Sequence, residues 1–179
     1  MATGEPYPGT QAVLRALSLL KSFTDEQPQL SLADLSARTH LNKTTVYRLL
    51  TALESEGLVM RNGDGGDSYR LGPEAIVLGG RAIRANNLRT VSRPELEALA
   101  RQTRETATVE VLWAEQVFTL DEVSGGYLVG AAPTIGSQWP LHATSTGKLL
   151  LAYQPPAEQE TLLHQPLTPY TSKTITGPQ

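Results

Sequence analysis

The stretch SLADLSARTHLNKTTVYRLLTALESEG, residues 31–57, decides how the chain folds, because it encodes two helices with room for only a tight corner between them. Ser31 followed three residues later by Asp34 has the spacing of a capping box, which predicts a short helix over Leu32 to Thr39 with Leu32 and Leu35 inward. Asn42 then offers a second N-cap. After it Val46, Leu49, Leu50 and Leu53 fall at i, i+3, i+4 and i+7, the apolar stripe of an amphipathic helix that stops at Gly57. The opposite face carries Thr44, Tyr47, Arg48, Thr51 and Ser55, with Lys43 on the first turn and the acids Glu54 and Glu56 held to the far end. Such a face suits a DNA major groove, since its N-terminal half offers donors for phosphates and base edges. An ordinary surface helix with a solvated polar face has the same pattern, so the neighbouring sequence has to discriminate.

Upstream, Val13, Ala16, Leu17, Leu20 and Phe23 recur with helical period and predict a first helix with those residues buried. Residues 1–9, with two prolines and two glycines, read as a mobile tail. Downstream, Leu58 to Arg61 and Ser68 to Leu71 flank the turn-rich run Asn62 to Asp67, the signature of a β-hairpin. Three helices followed at once by a hairpin is the order of a winged helix-turn-helix. The wing places Arg61 and Arg70 to touch the DNA backbone or minor groove, while Asp64 and Asp67 argue against deep insertion of its tip. The candidate DNA contacts are therefore Ser31, Lys43, Thr44, Thr45, Tyr47 and Arg48, with Arg61 and Arg70 on the wing.

A net charge of −3 excludes a uniformly basic coat, yet from Arg38 through Lys43 to Arg48 there is no acid, so a basic tip fits on a weakly acidic chain. The absence of cysteine rules out disulfides, thiolate metal sites and cysteine nucleophiles. The three histidines are scattered without metal-ligand spacing, and no cofactor is implied. No leader-like start and no long apolar run is present, so the default is a cytoplasmic protein without a membrane partner.

These residues carry a family resemblance. LSLADLSARTHLNKTTVYRLLTALESEGLV, the glycine-rich wing and YRLGPEAIVLG resemble the DNA-binding half of the IclR family of bacterial one-component transcription regulators. RPELEALARQTRETATVEVL and IGSQWPLHATSTGKLLLAY resemble the start of that family's effector-binding domain. The likeness runs from Gln11 to Thr176 and implies an α+β architecture in four parts: a tail (1–9), a winged helix-turn-helix domain (10–72), a linker helix (73–89) and a GAF-like or profilin-like antiparallel-sheet effector domain (90–179). The family's later helices and strands have no counterpart after LTPYTSKTITGPQ, which predicts exposed strand edges and association unless another chain covers them. One departure lies in the interhelical corner, where the family usually has glycine and this chain has His40. A left-handed backbone at His40 is expected, with histidine among the less disfavoured residues there.

The linker PEAIVLGGRAIRANNL reads as one helix to Leu88 with Ile76, Gly79, Gly80 and Ile83 near one face, and the resemblance makes it a place where subunits pair. Arg93-Pro94 is expected to open a further helix through Arg104, buried along Leu96, Leu99 and Ala100. Period-two runs follow: Val109 and Val111, then Val117 to Leu120 across a turn near Ala114, then Tyr127 to Ala131. From Pro133 to Tyr153, Gly136 and Pro140 shape a loop and Thr144 or Ser145 caps a helix. Backbone amides and the hydroxyls of Thr144, Ser145 and Thr146 suit a small carboxylate or another polar acceptor, with Trp139 and Leu128 as an apolar wall. By resemblance this region borders the effector site, which singles out Leu128, Ala131, Trp139, Ser145 and Thr146. A plain helix cap beside a core tryptophan is the structural alternative, and His142 reads as structural.

Enzyme motifs fail on inspection. Gly147-Lys148 lacks the Walker loop's earlier glycine and following hydroxyl, since His142 and Leu149 stand there. Ser145-x-Gly147 supplies half of a nucleophile elbow, but Ala143 replaces the glycine before the serine. The expectation is therefore not an enzyme but a ligand-responsive regulator, a homodimer or homotetramer that binds palindromic operator DNA and a small metabolite. The rival is an interaction module whose winged domain binds protein.

Overall fold

Residues 7, 9–63, 67–126 and 135–177 are described by the computed structural model, which divides into two units, Met1–Ala82 and Ile83–Gln179. Among the described residues no helix is long and apolar enough to cross a membrane. The strand expected over Tyr127 to Ala131, the wing-tip Asp64 and most of the expected tail lie outside the described residues.

The first unit runs α1 (Gln11–Leu20), β1 (Leu30–Ser31), α2 (Leu32–Thr39), α3 (Lys43–Ser55), β2 (Val59–Arg61), β3 (Ser68–Leu71) and α4 (Pro73–Arg84). The three strands form an antiparallel sheet in the order β1-β3-β2, so the hairpin is joined by a short strand from the start of α2. Leu19, Leu30, Leu35, Val46, Leu50, Leu53, Val59 and Tyr69 close around one another as the core. Complete burial of a leucine such as Leu50 contributes about 2 kcal/mol before cavity effects are counted.

Both helix starts follow from their caps. Ser31 Oγ accepts from Asp34 N at 3.1 Å while the Ser31 amide donates to Asp34 Oδ2 at 3.0 Å, a closed capping box. Asn42 Oδ1 accepts from Thr45 N at 2.8 Å and starts α3. At the far end of α3, Gly57 takes φ +68°, and the amides of Leu58 and Gly57 return to Leu53 O and Glu54 O in a Schellman closure. His40 adopts φ 54° and ψ 26°, the left-handed corner expected of it.

The reading of α1 needs correction. Leu19, absent from the expected stripe, is wholly buried, and Ala16, Leu20 and Phe23 pack beside it, while Val13 and Leu17 stay 59% and 45% exposed. The sequence QAVLRALSLL is apolar over more than one face, so its own periodicity does not select which face meets α2 and α3.

In the second unit, α5 (Asn87–Thr103) precedes β4 (Ala107–Trp113), β5 (Gln116–Val123), β6 (Gln138–Pro140), α6 (Ser145–Ala152) and α7 (Pro156–Leu163). Here too the sequence reading shifts: the helix break comes at Asn86, whose side chain caps α5 by accepting from Arg89 N at 3.1 Å. Pro94 therefore sits inside a helix instead of opening one, because the asparagine cap upstream supplies an earlier start. Leu96 and Ala100 are buried as expected, whereas Leu99 is half exposed.

The strands form an antiparallel sheet in the order β4-β5-β6, and β6 lies where a loop was expected. Ala114 and Glu115 both have positive φ, 47° and 68°, the geometry of a two-residue hairpin loop that matches strand twist. A bulge decides the rest. Val109 pairs with Asp121 but the next residue, Glu110, pairs with Thr119, so Leu120 is extra on β5. Side chains alternate along a strand, and the extra residue re-phases β5: Thr119 shares a face with Glu110, while Asp121 shares the opposite face with Val109.

Helix α5 covers the second of those faces, where Leu96, Ala100 and Ala107 form a small core with Val109 and Val123. Asp121, wholly buried, is held there by Arg93 Nη1 at 3.1 and 3.2 Å. Arg89 Nε lies 3.2 Å from the same carboxylate without being aligned to donate to it. The other face carries Glu110, Thr119 and the start of α6.

Candidate nucleic-acid interface and ligand pocket

Helix α3 separates its two faces as its sequence does. Val46, Leu50 and Leu53 are buried and Leu49 is partly so, while Lys43, Thr44, Tyr47, Arg48, Thr51 and Ser55 are exposed. Lys43, Thr44 and Arg48 have no side-chain partner among the described residues, leaving donors free along the first two turns. Thr51 and Ser55 instead turn their hydroxyls to the backbone carbonyls of Tyr47 and Ala52. Thr45 is half-buried and borders, with Ala12, Arg15, Arg48 and Leu49, a hollow of about 330 Å³ between α1 and α3. Arg15 was missed in the sequence: it belongs to a different helix, and only packing brings it to the same hollow as Arg48.

Ser31 serves the cap. Its hydroxyl donates to Asp34 Oδ2 at 2.6 Å, so its proton is already engaged, and these bonds from Ser31 hold the Asp34 carboxyl below its ordinary 3.8. Arg38, part of the basic tip, donates to Ser22 O at 2.7 Å and ties α2 to the chain after α1.

The wing arginines part company. Arg61 pairs across the hairpin with Tyr69, on the face turned to α3, and Arg70 pairs with Met60 on the other face. Arg61 is sandwiched by the rings of Tyr47 and Tyr69, with its Cζ 5.7 and 5.2 Å from their centroids, and its Nε is 3.6 Å from Glu54 Oε2. It therefore braces Tyr47 from behind. Arg70 borders a hollow with Phe23, Asp25, Pro28 and Gln29, away from the outer face of α3. The structure does not bring it to the other candidates.

In the second unit a hollow of about 320 Å³ is lined by Thr108, Glu110, Trp139, Thr144, Ser145 and Thr146. Three of the expected effector residues, Trp139, Ser145 and Thr146, meet here, whereas Leu128 and Ala131 lie outside the described residues. Thr144 caps α6: its Oγ1 accepts from Gly147 N and donates to Pro140 O, both at 3.1 Å. Gly147 permits the close approach, since a Cβ there would lie 2.2 Å from Leu141 O. Trp139 Nε1 donates to Thr119 Oγ1 at 3.2 Å. His142 is structural, with Nε2 3.0 Å from Thr168 O. Glu110 and Thr108 were missed because β-strand register, not local sequence, delivers them.

Comparison with known proteins agrees with this arrangement. Residues 12–63 match the model of the IclR helix-turn-helix domain, and residues 80–179 match that of the bacterial transcriptional regulator IclR C-terminal domain. A helix-turn-helix-type transcriptional regulator of Mycobacterium tuberculosis is 36% identical over 168 residues, which cover 94% of this chain and 64% of that protein. Among solved structures, an IclR transcriptional regulator from Silicibacter sp. TM1040 superposes with a TM-score of 0.76 at 32% identity, covering 92% of this chain and 65% of that one. An IclR homolog from Microbacterium hydrocarbonoxydans, solved in complex with 4-hydroxybenzoate, gives 0.75 at 27% identity and covers 93% and 68%. The chain spans 64% and 62% of the length of the first two curated relatives it matches.

Proposed function

Because the chain belongs to the IclR family of bacterial transcriptional regulators, we propose that it binds operator DNA through the outer face of α3 and responds to a small-molecule effector held in its second unit. The observation that carries this reading is the division of α3: three residues of its stripe are wholly or nearly buried, while Lys43, Thr44, Tyr47 and Arg48 stand at the surface and the donors of Lys43, Thr44 and Arg48 are uncommitted among the described residues. A helix fixed on one side and bare on the other can enter a major groove without rearrangement. Thr45, Arg61 and Arg15 border that face and supply backbone contacts or support. Ser31 and Arg70 are left out of the proposed contact set, one engaged in a cap and the other turned away.

Two copies related by a two-fold axis would place two such helices in successive major grooves, so the operator is palindromic. Support for association comes from apolar side chains left in solvent, Val13, Leu14 and Leu17 on α1 and Ile76, Val77 and Leu78 on α4. Their burial against a second copy gives a homodimer, acting in the cytoplasm where the DNA is. An effector in the second unit shifts DNA affinity only by binding one arrangement of the two reading helices more tightly than the other. The reading includes no catalytic step, in keeping with a family of transcriptional regulators.

Arg48→Ala tests the reading. It costs about 1 to 3 kcal/mol in operator affinity and relaxes preference at one base pair if Arg48 reads guanine. A uniform loss across sequences makes Arg48 a phosphate contact instead. Binding that is neither salt-dependent nor sequence-selective would favour the protein-interaction module.

A further inference from the structure

The hollow beside Trp139 contains one ionisable group among its described lining residues, and that group is an acid, Glu110. This is the reverse of what the start of α6 suggests by itself, since exposed amides and hydroxyls at a helix N-terminus invite an anion.

The hydrogen bonds around Glu110 have a fixed direction. An indole N–H can only donate, so Thr119 Oγ1 must accept from Trp139, and the proton of Thr119 is left to point at Glu110 Oε1, 3.4 Å away. Thr119 is wholly buried, which holds this relay in place, and the bulge at Leu120 sets Thr119 opposite Glu110. One carboxylate oxygen thus has a buried donor, and Glu110, which lines the hollow, keeps acceptor capacity to spare. An ionised carboxylate accepts and does not donate. The hydroxyls of Thr108, Ser145 and Thr146 have no partner among the described residues and can serve either role.

We propose that Glu110 selects the effector: the molecule held beside Trp139 carries a hydroxyl or amino group that donates to the Glu110 carboxylate, and an anion without such a donor is turned away. The proposal rests on reading this hollow as the effector site. Two negative groups in one hollow repel each other, and the described lining residues include no cation to offset them.

Three probes with one ring and different heads separate the chemistry: benzyl alcohol, benzylamine and benzoate. Binding to the full chain is followed by Trp139 emission in a Trp113→Phe background, with dissociation constants from calorimetry. The expected result is that benzyl alcohol, benzylamine or both bind at least about tenfold more tightly than benzoate, and their order says whether hydroxyl or ammonium fits better. Glu110→Gln keeps the shape and an acceptor for Thr119 but removes the charge, so it should bring benzoate to within about threefold of the alcohol. Circular dichroism of that variant checks the fold. If benzoate binds as well as the alcohol and Glu110→Gln leaves the ranking unchanged, the selection by Glu110 is wrong while the effector site stands. If none of the three moves Trp139 emission at millimolar concentration, the effector-site reading fails and this inference with it.

Discussion

The two units solve the same problem in opposite ways. The first is organised around an apolar core in which the one polar tip is the Tyr69 phenol, whereas the second keeps Thr119 and Asp121 entirely out of solvent beside its apolar residues. In the first, the proposed reading surface is the back of a helix whose front supplies the stability, which puts the proposed function and the folding on different atoms. In the second, buried polar groups on the two faces of one strand do both jobs: Asp121 fastens α5, and Thr119 orients Glu110 in the hollow. Changes to the proposed site of the second unit should therefore disturb stability more than changes to the exposed face of α3 do.

The largest effects should come from each unit's anchor. Leu50→Ala, at a wholly buried position, should cost about 4 kcal/mol and raise hydrogen exchange through the first unit. Exchange that rises equally in both units would break the division. Asp121→Asn should cost about 3 kcal/mol, because it leaves the partly buried Arg89 and Arg93 without their shared carboxylate. Denaturant melts read by exchange in α5 and β5 would show this, and a change under about 0.5 kcal/mol would mean the cluster adds little. At the small end, His40→Gly should stabilise by roughly 0.5 to 1 kcal/mol by relieving the left-handed backbone. A loss of stability would show that the imidazole makes a contact that outweighs the strain. Arg48→Ala should leave the melting of the first unit within about 0.5 kcal/mol of the parent, so that any loss of DNA affinity is separated from stability.

The same contrast explains what the sequence made legible. Both caps and the buried stripe of α3 depend on residues within four positions of one another and could be read directly, as could a cap at Thr144 or Ser145, which the structure gives to Thr144; the left-handed corner at His40 was expected from the family's usual glycine there. Where several faces are apolar, as in α1, only packing chooses, which is why Leu19 rather than Leu17 is inside. Register across a hairpin is non-local as well. It puts Arg61 and Arg70 on opposite faces of the wing and sets Glu110 against Thr119 through a bulge that no local pattern announces. Strand β6 escaped notice because three residues with a proline read as loop until β5 is there to pair with them. Of the effector candidates, the three that meet in the hollow come from β6 and α6, and the residue that gives the hollow its charge comes from β4.

Selection of a random duplex library by the chain at moderate salt, with the Lys43, Thr44 and Arg48 triple alanine variant in parallel, tests the bare face of α3 most directly. The account predicts enrichment of an inverted repeat with half-sites about one helical turn apart, lost in the variant while its melting is unchanged. A library that stays flat, or one that enriches the same sequence with the variant, would contradict it.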